Sequence, residues 1–140
     1  MQLLIGALVV GTTIIVQAGF VFLAFAFADW LGTYRFLQSR IGSTLMLAAA
    51  TIWMMVALTA AAWLWASLFL WLGAFEELET ALYFATVSLT TLGFGDVILD
   101  EDVRLLSAIV AANGLVMFGL STAFLLRFVE NVQAEEQKAS

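Results

Sequence analysis

Thr90-Thr91-Leu92-Gly93-Phe94-Gly95-Asp96 lies between two long apolar segments and decides how the rest of the chain is read. A dehydrated cation needs a cage of oxygens in place of its lost water, and backbone carbonyls supply one if several in succession face a common axis. An extended strand alternates its carbonyl directions, so the backbone must instead alternate between left- and right-handed dihedrals. The left-handed region costs an ordinary L-residue about 1–2 kcal/mol, whereas glycine enters it freely. Gly93 and Gly95, two residues apart, meet that minimum requirement, and Thr91 adds a hydroxyl below its own carbonyl as one further oxygen layer. In another setting the same residues would make a tight glycine turn with an Asx cap. Here the setting favours the oxygen cage: a short amphipathic stretch precedes the loop, and segments long enough to cross a bilayer flank it.

Composition agrees with that setting. Of 140 residues, 64% are hydrophobic and 11% charged, and the mean hydropathy is +1.05. A soluble domain of this size cannot hide so much apolar surface, so the chain is expected in a lipid bilayer. It contains no cysteine, histidine or proline. Disulfides, thiol chemistry, the usual zinc ligand and the usual pH switch are thereby excluded, and any helix bend must come from glycine. No nucleophile, base and metal-ligand set can be assembled, so neither an enzyme nor a cofactor is expected. The net charge of −6 comes with no basic patch for nucleic acid.

Working outward, residues 80–90 form a run too short to cross a membrane and predict a re-entrant pore helix leading into the loop at residues 91–96. Irregular backbone at membrane depth is tolerated only where protein encloses it or water lines it. Glu76, Glu77 and Glu79 fall at the start of this helix, where the macrodipole favours acids; its other end directs about half a negative charge at the loop, which favours a cation. Residues 44–72 predict an outer spanning helix and residues 103–129 an inner one. Residues 1–28 predict a further spanning helix, retained because no basic leader precedes it and the apolar run is too long for a signal peptide. Trp30, Tyr34, Arg35 and Arg40 in residues 29–43 suggest a surface helix on the cytoplasmic side, by the positive-inside rule. The amino terminus and the acid-rich loop are then outside, and the tail at residues 130–140 is inside. Trp53 and Trp63 are expected to pack against helices or lipid, and Trp71 to anchor at the interface. Seven of the eleven acids fall on the outer side, where repeated copies would concentrate cations.

The loop resembles the potassium-channel signature Thr-x-Gly-Tyr/Phe-Gly-Asp. The likeness extends from Ala81 to about Phe128, over the pore helix, filter and inner helix of simple prokaryotic two-transmembrane channels. Ala81-Leu82-Tyr83-Phe84 is similar to that family's aromatic pore-helix start, and the leading helix is extra. The resemblance implies an all-α membrane protein of three spanning helices plus a re-entrant pore helix and filter, closed by four copies into a homotetramer that conducts K+ passively across the cell membrane. It implies ion sites at the Thr91 hydroxyl and carbonyl and at the carbonyls of Leu92, Gly93 and Phe94, with Gly95 completing the filter. Gly114 would fall at the gating glycine, Phe118 and Gly119 match the Phe-Gly after it, and the gate crossing would lie around residues 121–125, including Thr122. Leu92 and Phe94 replace the usual valine and tyrosine. Val87 stands where some members carry a glutamate that pairs with the aspartate equivalent to Asp96, which leaves Tyr83 as the candidate partner. Ile98, in place of an aromatic, implies weak external block by quaternary ammonium. The leading helix lacks a basic repeat, so it is not a voltage sensor, and only eleven residues follow the pore, so no soluble regulatory domain is expected in this chain. A weakly selective cation channel, a non-conducting membrane subunit and a potassium-uptake subunit are the alternatives; the last usually carries degenerate filters in four linked repeats.

Overall fold

The computed structural model describes residues 1–30 and 40–139. Four helices follow in order: α1 (Gln2–Trp30), α2 (Arg40–Trp71), α3 (Leu78–Leu89) and α4 (Arg104–Ala139). Three of them contain stretches long and apolar enough to cross a bilayer, Gln2–Phe27, Thr44–Trp71 and Arg104–Glu130. The protein is therefore an all-helical membrane protein, with no strand among the described residues. The surface helix expected over residues 29–43 lies largely outside the described residues.

Helix bounds differ from the apolar limits where polar residues extend a helix beyond the hydrocarbon. α2 begins at Arg40 rather than at residue 44. α4 continues from its apolar span through the polar tail to Ala139, because no glycine or proline follows Gly119 and the tail is made of strong helix formers such as Ala, Glu, Gln and Lys. α3 starts at Leu78, two residues earlier than the apolar run, because Glu77 holds an extended conformation (φ −109°, ψ 137°) and serves as its N-cap.

The turn after α2 sets the course of everything that follows. Gly73 takes φ +69°, its N–H donates to the Leu70 carbonyl at 3.0 Å, and the Ala74 N–H donates to the Phe69 carbonyl at 2.9 Å. This is a Schellman closure, which satisfies the carbonyls a helix end would otherwise leave bare. It sends Phe75 back onto the bundle. Phe69, Phe75 and Phe84 then form a three-ring cluster; Phe69 and Phe84 lie 5.2 Å apart, nearly edge to face at 79°. Such pairs add about 0.5–1.5 kcal/mol beyond area burial. Ala81, Phe84, Ala85 and Leu89 are the buried positions of α3, one face at helical spacing. With Trp65, Leu106, Val110 and Met117 they form the main core, which seats α3 between α2 and α4.

α1 packs against both α2 and α4. It runs parallel to α4: Gln2 reaches the Asp102 carbonyl, Gly6 meets Leu106 and Ile109, and Thr13 meets Asn113. Its start therefore lies at the same end of the molecule as the start of α4. Trp53 stacks on Phe20 at 5.1 Å and donates to the Phe20 carbonyl at 2.8 Å, joining α1 to α2. Trp65, rather than Trp53 or Trp63, is the tryptophan of the core.

Candidate functional site: the loop after α3

α3 ends at Leu89 and the chain reverses at once. The Thr91 N–H donates to the Ser88 carbonyl at 3.0 Å, and the N–H groups of Leu92 and Gly93 both turn back to the Val87 carbonyl, at 3.0 and 3.4 Å. All peptides are trans among the described residues. In a trans peptide the N–H and the preceding C=O point opposite ways. The carbonyls of Thr90, Thr91 and Leu92 are therefore directed away from α3, and no backbone N–H among the described residues takes up those of Thr91 and Leu92. These are free, aligned acceptors at the negative end of a helix dipole, an arrangement suited to a cation. Val87 thus supports the loop through its backbone oxygen, a role its aliphatic side chain does not advertise.

Three residues of the loop have positive φ: Thr91 at 59°, Gly93 at 54° and Gly95 at 78°. Leu92, Phe94 and Asp96 do not. The handedness therefore alternates strictly along residues 91–96, the backbone condition for successive carbonyls to share a side. The two glycines were legible in the sequence; left-handed Thr91 was not, because threonine ordinarily avoids that region at a cost of about 1–2 kcal/mol. Backbone strain of this kind concentrates at functional loops.

At the far end of the loop from α3 the Tyr83 hydroxyl donates to Asp96 Oδ2 at 2.6 Å. That hydrogen bond, first among its causes, holds the Asp96 carboxyl below its ordinary range, with the Asp96 and Val97 backbone N–H groups adding to it and partial burial opposing. One turn along α3, Val87 offers no carboxylate to this pair. Leu99 is buried in the core and ties down the segment that returns to α4. Leu92 and Phe94 are 60% and 67% exposed, and Ile98 is exposed as well, so their apolar side chains project from the single chain beside the loop. A pocket of about 350 Å³ lies behind it, walled by Tyr83, Val87, Gly93, Asp96 and Ala111.

The inner-helix residues are arranged differently from one another. Gly114 is wedged against the end of α3: a Cβ there would meet the Leu89 carbonyl oxygen at 1.8 Å. It is thus a close-packing glycine that lets α4 touch the backbone entering the loop. A Cβ built at Gly119 would meet nothing within 4 Å outside its own stretch of helix. α4 continues through both without a break. Phe118 is exposed, and the Thr122 hydroxyl donates to the Phe118 carbonyl one turn back at 2.9 Å. Leu115, Phe118, Thr122 and Leu126 form one exposed stripe at helical spacing. What sequence reasoning missed is that Asn113 and Ser121, the latter within the expected gate crossing, face α1. Their signal was the spacing of single polar residues in an apolar span.

A family model described as an ion channel matches residues 41–131, from the start of α2 to the apolar end of α4. The chain belongs to that ion channel family. α1 lies outside the matched region. No curated protein and no solved structure matches it.

Proposed function

We propose that this ion channel is selective for potassium and conducts it passively through a homotetrameric pore. The observation that carries this reading is the turning of the Thr91, Leu92 and Gly93 N–H groups back onto α3, which frees the opposite carbonyls for a cation. In the proposed assembly four loops surround one axis. K+ is coordinated by the Thr91 hydroxyl and carbonyl and by the carbonyls of Leu92, Gly93 and Phe94, while Gly95 sets the outer turn. Tyr83, Val87 and Asp96 brace the loop from behind. The Leu115–Leu126 stripe lines the inner path, with Phe118 and Thr122 towards its narrow end and Gly114 and Gly119 as its glycine positions. Four acid-bearing mouths collect cations, an effect that added salt screens. The proposed location is the plasma membrane, with the amino terminus and the loop outside and the tail in the cytoplasm, following the placement of Arg127 and Lys138 relative to the outer acids.

The test is the reversal potential of purified protein in planar bilayers under opposing K+ and Na+ gradients. The expected result is reversal near the K+ equilibrium potential, with block by barium. Reversal near zero makes the protein a weakly selective cation channel. Absence of flux from liposomes containing this chain alone makes it a non-conducting subunit.

A further inference from the structure

α1 carries two polar side chains that are fully buried, Thr13 and Gln17, and both find their partners on α4. Asn113 Nδ2 donates to Thr13 Oγ1 at 2.8 Å, while the Thr13 hydroxyl also lies 2.8 Å from the Val10 carbonyl of its own helix. Gln17 Nε2 donates to Ser121 Oγ at 2.8 Å and lies 3.7 Å from Met54 Sδ of α2. The two links straddle the glycines of α4. Thr13–Asn113 sits beside Gly114, where α4 is pinned against the Leu89 backbone. Gln17–Ser121 sits two residues beyond Gly119, where there is room. The upper half of α4 is therefore fixed twice, by Leu89 and by Asn113. The lower half is held to α1 by Gln17 and by the edge-to-face contact of Phe25 with Phe124 at 5.2 Å.

We infer that Gln17 and Ser121 are positioning residues for the gate: the Gln17–Ser121 hydrogen bond latches the lower half of α4 in its straight, closed arrangement. The inference rests on the tetrameric pore reading above. Stability alone does not call for this bond. Replacing both partners of a buried hydrogen bond by apolar groups is close to neutral, and Gln17 Oε1 is left buried without a partner. A bond across Gly119, by contrast, is made only while α4 is straight, so it biases a two-state element. Straight α4 helices bury their exposed Leu115, Phe118 and Leu126 stripes only by converging, and a hydrophobic constriction of that kind closes a pore by dewetting. Bending at Gly119 carries Ser121 away from Gln17 and parts the stripes.

The experiment is single-channel recording of the full chain in symmetric K+, comparing wild type with Gln17→Leu, Ser121→Ala, the double variant and Ser121→Thr. Interhelical hydrogen bonds in membranes are worth enough to change an equilibrium about threefold to tenfold. Gln17→Leu and Ser121→Ala are each expected to raise the open-to-closed ratio about threefold or more, with unit conductance and reversal potential unchanged. The double variant should open no more than the stronger single one, because both remove the same bond. Ser121→Thr keeps the hydroxyl and should restore wild-type opening. Unchanged or reduced open probability in Ser121→Ala, measured on protein whose far-UV helical signal and oligomeric mass match wild type, overturns the latch. Additive effects in the double variant overturn it equally. Absence of any K+ current from wild type overturns the pore reading instead, so the two failures are distinguishable.

Discussion

At the scale of single residues, the loop depends on backbone hands that only some side chains allow. Gly93 at φ +54° has open space around its Cα, so Gly93→Ala fails by conformation and not by collision. It is expected to abolish selective K+ current while leaving the helical far-UV signal intact; a normal reversal potential in Gly93→Ala would remove the basis for the loop assignment. The Tyr83–Asp96 bond adds a pH dependence. Asp96 titrates below its usual 3.8, so its contribution is complete above the ordinary aspartate range and is lost as pH falls through the lowered value. Tyr83→Phe removes the principal cause, and acid inhibition from the loop side should move to higher pH, towards the ordinary range. An acid profile identical to wild type would show that the bond plays no part in conduction. Val87→Glu places a carboxyl one turn from Tyr83 and beside Asp96, and is expected to change the rate and extent of inactivation; macroscopic currents that match wild type count against it. Gly93 and Gly95 could be anticipated from residue identity, and the Tyr83–Asp96 pairing from the family resemblance. The strain at Thr91 and the use of the Val87 carbonyl could not, because both are properties of backbone direction and any side chain at those positions would look the same in the sequence.

At the scale of elements, two glycines five residues apart on α4 are expected to behave oppositely. A methyl group at position 114 would overlap the Leu89 carbonyl, and neither partner is the flexible end of a side chain. Overpacking of that kind costs about 1–3 kcal/mol or more, and the distortion falls on the last turn of α3, which orients the loop. Gly114→Ala should lower the thermal stability of the purified protein and remove its current. Gly119→Ala meets no obstacle within the chain and gains helix propensity of about 1 kcal/mol, so it should fold at least as well as wild type. Equal stability of the two variants would refute the wedge at Leu89. The apolar lengths of the three spans were legible because the bilayer imposes about 20 residues on any crossing helix. Which face each helix turns inward was not, since a helix apolar all round carries no periodic signal; the seat of α3 on Phe69, Phe75 and Phe84 and the burial of Trp65 emerged only with the packing.

At the scale of the whole molecule, one chain leaves its loop and its inner helix uncovered. Leu92, Phe94, Ile98, Leu115, Phe118 and Leu126 are all exposed, and so are many lipid-facing residues of α1 and α2. Four copies about a common axis would cover the first group and leave the second in lipid. Native mass measurement in mild detergent should find a particle of four times the 15.2 kDa chain, and a protein that remains monomeric while conducting would exclude the shared axis.

The linear chain was enough to establish a membrane protein and to single out Gly93 and Gly95 as left-handed positions of one loop, because hydrocarbon thickness and the handedness of L-residues act on local sequence whatever lies around it. Only the tertiary structure decided that α1 lies parallel to α4 and holds it through Thr13–Asn113 and Gln17–Ser121. Those partners are 100 and 104 positions apart, and in a span apolar on every side nothing local says which neighbour a lone polar group will meet. The same holds for Gly114: a missing side chain reads as freedom until the backbone of another helix is found in the space it leaves.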